Sequence, residues 1–183
     1  MIPFNEVMNL TSTISSHTAF EDEECRAYYD LAASLAPGST IVEIGLQFGR
    51  SSSIVLQVAK DQGHHYIGVD PFIEPPEAEQ AWVEMADRVG AVYRLEVVTS
   101  QQWAGLYHPT PIDLALIDGD HSYQGVTTDI GIIAPRIAPG GYMCFHDYGR
   151  DSLPEVYAAI SDWGGAGFTY VGTYGTLGVW RKN

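Results

Sequence analysis

The sequence is poor in cysteine, in basic residues and in long apolar runs. Its 183 residues include two cysteines, Cys25 and Cys144. Cys25 falls in a segment of helical pattern and Cys144 in an apolar strand-like run. Two buried thiols are therefore expected instead of a disulfide, which points to a reducing, cytoplasmic location. Nine Lys and Arg stand against 23 Asp and Glu, a formal net charge of −14. Such a balance repels a phosphate backbone, and no basic cluster offsets it, which argues against nucleic acid and anionic membranes as partners. No apolar run approaches the roughly 18 residues that span a bilayer. The opening MIPFNEVMNLTSTISS lacks the basic-then-apolar order of a signal peptide. Repeats, low-complexity tracts and linkers are also missing. What is present is 45% hydrophobic residues, enough for a single domain over 1–183 with a sizeable core.

Residues 1–37 read as a helical segment, clearest over Glu21 to Leu35, where acids crowd the first turn and Pro37-Gly38 closes the pattern. From 38 to 183 short apolar runs (STIVEIG, HYIGVD, YRLEVVT, IDLALID, GYMCFHD) alternate with longer segments of helical or mixed pattern. These are SSSIVLQVAKDQ, EAEQAWVEMADRV, the short QQWAGLY and YQGVTTDIGIIAPRIA. That alternation predicts a parallel sheet wound by right-handed crossovers. After a helix at LPEVYAAISDW, the stretch GFTYVGTYGTLGVWRK leaves no room for a crossover and predicts a hairpin. The expected fold is α/β, a Rossmann-like three-layer sandwich. Its seven-stranded sheet is mostly parallel, with a C-terminal antiparallel hairpin.

A sheet of this kind binds ligands beyond the carboxyl ends of its strands. Polar residues gather at those ends: Glu43 with Gly45, Asp70, Ser100, Asp118 to His121, and His146 with Asp147. Gly45 and Gly49 let the first loop turn tightly, and Ser51 to Ser53 can cap the helix after it. The loop is not GxGxxG, so the dinucleotide fingerprint is missing. Asp70 before Pro71 fits a simple turn, yet beside Gly45 and Gly49 it suits ribose hydroxyls better.

The stretch LALIDGDHSYQG ends a buried strand in two carboxylates and an imidazole, which a core strand does not need. E-x-G-x-x-x-G, GVDPF, IDGDHSYQG, a helix ending in APGG, and FHDY together resemble class I S-adenosylmethionine-dependent methyltransferases. The resemblance is nearest to the metal-dependent small-molecule O-methyltransferases of the macrocin O-methyltransferase type and covers about residues 38 to 181. It implies that Glu43, Gly45 and Gly49 line the methionine part of S-adenosyl-L-methionine, that Asp70 holds the ribose, and that Ser100 and Gln101 lie near the adenine. Gln47 stands where many such enzymes have glycine. The resemblance further implies neighbouring strands for Asp118 and for His146 with Asp147. These three would hold Mg²⁺ or Mn²⁺, Asp118 also facing the cofactor, and His121 would be the base for a small-molecule hydroxyl.

Plainer readings stand beside these. Asp118 can cap the next segment, Asp120 can shape the turn, and His121 can bond a loop carbonyl. Successive strand residues face opposite ways, so His146 and Asp147 need not both point inward. His17, His64, His65 and His108 show no ligand spacing, and the tryptophans read as packing, Trp103 with stacking near the adenine as its other reading. Tyr123 and Tyr148, after the two acidic loops, are candidate pocket walls. The short N-terminal segment leaves the pocket open, covered by those helices, or completed by a second subunit in a homo-oligomer. Alternative functions are a cephalosporin-hydroxylase-like enzyme of the same fold and a non-catalytic S-adenosylmethionine-binding protein.

Overall fold

Helices and strands follow the apolar pattern closely. The computed structural model of the protein describes residues 1–12, 20–73, 75–106 and 111–183; His17 and His108 lie outside them. Two helices come first, α1 (Phe4–Ser12) and α2 (Asp22–Ser34). The alternating region contains β1 (Thr40–Ile44), α3 (Arg50–Gln62), β2 (His65–Val69), α4 (Ala78–Val89), β3 (Tyr93–Glu96) and α5 (Ser100–Ala104). It continues with β4 (Ile112–Ile117), α6 (Tyr123–Ile133), β5 (Ile137–Phe145), α7 (Pro154–Trp163), β6 (Phe168–Tyr174) and β7 (Leu177–Lys182).

Local chemistry sets the boundaries. In α2 the Glu24 carboxylate accepts the Glu21 amide at 2.6 Å, closing a capping box that satisfies free donors of the first turn. Pro154 opens α7 at the position where its missing N–H costs nothing. One boundary differs from the sequence expectation. The helix read as running through YQGVTTDIGIIAPRIA stops at Ile133, passes through one 3₁₀ turn, and IAPGG becomes the start of β5. Pro135 lacks the amide that a continuing helix would need; Ala134 keeps helical dihedrals, and the chain turns extended only at Ile137.

The seven strands lie in the order β3-β2-β1-β4-β5-β7-β6. β1 to β5 pair in parallel, and β7 is inserted antiparallel between β5 and β6. Each face of the sheet has its own core, giving three layers. One core joins α1 to α4 with Ile41, Tyr66, Leu114, Leu116, Cys144 and Val179. The other joins α6 and α7 with Val42, Ile44, Ala115, Ile117, Met143 and Phe145. Successive residues of one strand thus enter opposite cores, as the two-residue period of a strand requires. Cys25 and Cys144 are both buried and free, as expected. The order of connection reverses between β1 and β4, and that is where an open α/β sheet forms its crevice. Among the described residues no helix is long and apolar enough to cross a membrane.

Candidate active site

A cleft of about 770 Å³ opens at this reversal point. Its walls come from the carboxyl ends of all five parallel strands: the loop after β1, Asp70 to Ile73 after β2, Thr99 to Gln101 after β3, Asp118 to His121 after β4, and His146 with Asp147 after β5. Phe20 and Leu153 add apolar surface, and Arg50 and Arg150 add cations.

The first loop owes its shape to Asp70 and to close backbone contact. Asp70 Oδ2 accepts the amides of Leu46 (2.7 Å) and Gln47 (3.1 Å), and Oδ1 accepts that of Phe72 (2.6 Å). Three donors leave acceptor capacity on the carboxylate facing the cleft. Gly45 runs so near the end of β4 that a Cβ on it would lie 1.9 Å from the Asp118 carbonyl oxygen. Gln47 has φ +45°, the left-handed region that explains why glycine suits this position in similar sequences. Two residues that the resemblance places by the cofactor do not line the cleft. Glu43 is fully buried beneath the loop, where the hydroxyls of Ser51, Ser52 (3.1 Å) and Tyr66 (2.7 Å) donate to it. Burial pushes its carboxyl up to about 7, against the pull of those hydroxyls. Gly49 faces α4, where a Cβ would meet Met85 Cε at 2.4 Å. Both shape the loop from behind and are absent from the cleft lining. Ser100 and Gln101 do line it.

The acidic residues converge. Asp118 Oδ1 lies 3.3 Å from His121 Nε2, and Asp147 Oδ2 lies 3.2 Å from the same nitrogen. One ligand atom from each of these three residues falls within 4.8 Å of the others, spacing that suits a divalent cation. His146 sits deeper. Its Nδ1 is 3.1 Å from Asp118 Oδ1 and 3.3 Å from Asp147 Oδ2, and its Nε2 is 3.3 Å from Glu24 Oε2. Adjacent strand residues would diverge, but β5 ends at Phe145 and Asp147 has φ +58°, so its side chain turns back beside His146. Arg150 Nη1 pairs with Asp147 Oδ1 at 2.9 Å, an ion pair without hydrogen-bond alignment.

These contacts set the charges. Burial works against a charged His146, yet the bonds to Asp118, Asp147 and Glu24 win and push it up to about 12. Burial likewise opposes ionised Asp118, but His121 and His146 hold its carboxyl below the usual range. The hydrogen bond to Asp118 raises His121.

Other residues take plainer roles. Asp120 bonds the amide (2.9 Å) and hydroxyl (3.0 Å) of Ser122, shaping the turn. Tyr123 bonds Asp162 on α7 (2.8 Å), and Tyr148 packs on Trp180 with ring centroids 5.1 Å apart. Neither tyrosine lines the cleft, and Trp103 is buried in the core on the α6 side of the sheet. Glu24, Asp129 and Arg150 escaped sequence reasoning. Asp129 shares the buried face of α6 with Val126, Ile130 and Ile133, lines the cleft, and is raised to about 6 by burial despite a bond from Ser100. A carboxylate on an apolar helix stripe was its signal.

Sheet order, insertion of β7, and a cleft of acids and imidazoles at the switch point define a Rossmann-like fold of the class I methyltransferase kind. The family model described as a methyltransferase domain matches residues 42–148, and the chain belongs to that family. An uncharacterized protein of Acanthamoeba polyphaga mimivirus is 30% identical over 132 residues, covering 67% of this chain; the match spans 58% of that relative. Solved structures share the fold at low identity. A TDP-rhamnose 3'-O-methyltransferase of calicheamicin biosynthesis superposes with a TM-score of 0.71 at 16% identity, covering 97% of this chain and 92% of its own. An O-methyltransferase from Bacillus cereus in complex with SAH gives 0.68 at 14%, covering 98% and 90%. One of tomaymycin synthesis from Streptomyces achromogenes, in complex with SAM, gives 0.70 at 13%, covering 98% and 89%.

Proposed function

We propose that the protein is an S-adenosylmethionine-dependent O-methyltransferase acting on a hydroxyl of a small molecule, with a divalent cation assisting. The observation that carries this reading is the meeting of Asp118 Oδ1, His121 Nε2 and Asp147 Oδ2 on the wall of the cleft of a methyltransferase-family chain. The cleft suits the cofactor: Asp70 retains acceptor capacity toward a ribose, the Gly45 loop brings backbone close, and Ser100 and Gln101 line the wall after β3. S-adenosylmethionine supplies an electrophilic methyl group to this site.

Asp118, His121 and Asp147 would hold the cation, which would supply Lewis-acid chemistry that lowers the pKa of a substrate hydroxyl. Relative to the sequence expectation, His121 takes the place of His146 among the ligands, and His146 supports the two carboxylates from behind. Its Nε2 faces Glu24 while its Nδ1 faces Asp118 and Asp147, so carboxylates on both sides keep both nitrogens protonated; His121 meets the carboxylates through Nε2 alone and can release that proton to bind a cation. Phe20 shields the His146 side of the cleft, and Arg150 steadies Asp147. The N-terminal segment therefore covers part of the site itself. A second reading has His121 act directly as base, favoured by its Asp118 partner, which makes the imidazole more basic.

The test is formation of S-adenosylhomocysteine from S-adenosylmethionine over a panel of hydroxylated acceptors, with and without EDTA and with Mn²⁺ restored. Loss on chelation and recovery on Mn²⁺ is expected, with Asp147→Asn at least about tenfold slower. Activity that survives chelation but not His121→Ala selects the second reading. Absence of S-adenosylmethionine binding overturns both.

A further inference from the structure

Helix α2 places a carboxylate behind the acidic site, and the cap of that helix does not account for it. Glu24 is 1% exposed. Its Oε2 accepts the Glu21 amide at 2.6 Å and lies 3.3 Å from His146 Nε2, 122 residues away in sequence. Its Oε1 accepts both the amide and the hydroxyl of Thr176 at 2.7 Å. A capping residue needs only the first of these contacts and is ordinarily solvated. Burying a carboxylate is costly unless donors surround it, and here four do.

The donors come from three parts of the fold. Thr176 lies in the two-residue turn between β6 and β7, and the carbonyl of Thr176 also accepts the Tyr148 amide at 2.8 Å, next to Asp147. Gly175 in that turn has φ +59°, and a Cβ there would lie 2.9 Å from Glu24 Cγ, so the turn is seated directly on the carboxylate's stem. Phe20 lies against the His146 ring with centroids 5.1 Å apart. The ring is thus held on one face and at both nitrogens.

We infer that Glu24 is a positioning residue for the site: by holding His146 Nε2 it fixes the ring so that Nδ1 bridges Asp118 and Asp147, setting the spacing of the two carboxylates that face His121. The geometry of this chain of contacts, Glu24 to His146 to Asp118 and Asp147 to His121, supports the inference; the importance of that spacing for catalysis rests on the proposed function. In Glu24→Gln a single acceptor oxygen remains; with the two Thr176 donors on it, Nε2 has no acceptor, the ring can turn, and the two carboxylates lose their common donor.

Imidazole ¹⁵N–¹H spectra of ¹⁵N-histidine-labelled protein test it without any metal or acceptor, His146→Gln identifying the ring's signals. The wild type is expected to show slowly exchanging Nδ1–H and Nε2–H of His146. Glu24→Gln, of equal volume, is expected to lose the Nε2–H signal and to move the ring signals of His121, with His65 as an unmoved control. Absence of the Nε2–H signal in the wild type, or His146 and His121 signals unchanged in Glu24→Gln, overturns the inference. Should Glu24→Gln fail to fold, the wild-type spectrum decides. Titration with Mn²⁺ alone gives the functional readout: at least about tenfold weaker binding in Glu24→Gln, with affinity for S-adenosylhomocysteine within about twofold of the wild type. Equal Mn²⁺ affinity in the two proteins counts against the inference. A wild type that binds no Mn²⁺ defeats the metal reading, and the spectra then judge Glu24 alone.

Discussion

Buried carboxylates govern this protein at the residue scale, and they differ in sign. Glu24 is pulled down to about 2: burial opposes its charge, but His146, the amides of Glu21 and Thr176, and the Thr176 hydroxyl outweigh it. Glu43 goes the other way, to about 7, because hydroxyls alone do not offset complete burial. That difference has a stability consequence. Below the ordinary value of about 4.5, Glu43 is protonated in folded and unfolded chains alike. Between about 4.5 and 7 the unfolded chain releases the proton and the folded chain retains it, so stability falls as pH rises, by on the order of 3 kcal/mol once above 7. Glu43→Gln should flatten this part of the curve of denaturation free energy against pH; an unchanged slope would show that Glu43 is ionised in the fold. Sequence alone ranked Glu43 as a cofactor contact and missed Glu24, because an acid in the first turn of a helix is already explained by the dipole. What Glu24 faces is settled by a strand end 122 residues away.

The elements show where local rules were bent for a purpose. Gln47 sits at φ +45° to complete the loop after β1, with its amide on Asp70. A non-glycine residue in that region costs about 1 kcal/mol or more. Gln47→Gly should therefore raise the melting temperature by roughly 2–4 °C for up to about 1 kcal/mol gained, leaving cofactor affinity intact. A fall in melting temperature would mean that the side chain contributes more than the strain removes. Gly45→Ala should do the opposite. Its Cβ would overlap the Asp118 carbonyl, forcing β1 and β4 apart at the cleft and abolishing cofactor binding in a calorimetric titration. The strands and their order of appearance were readable from alternation. The early end of α6 was readable only by giving Pro135 more weight than the apolar period.

For the whole molecule, charge and topology act together. A net charge of −14 on 183 residues repels itself in the compact state more than in the expanded one. Added NaCl, up to about 0.5 M, shortens the screening length below the roughly 10 Å of 0.1 M salt. It should raise the melting temperature; no rise would mean that the charges are already locally paired. Asp118, Asp147 and Glu24 concentrate that charge, and His121, His146 and Arg150 answer it locally. The sequence by itself determined the α/β class, the hairpin, the two free thiols and the strand ends at which polar residues gather, because periodicity and turn chemistry are local properties. The resemblance implied that Asp118, His146 and Asp147 converge, but not that His121 joins the two carboxylates or that Glu24 holds His146. Only the folded sheet sets Asp118, His121 and Asp147 around one point, puts His146 behind them and Glu24 behind His146. Contacts between distant segments depend on strand order, on a backbone turned left-handed at Asp147, and on a helix docked across the sheet.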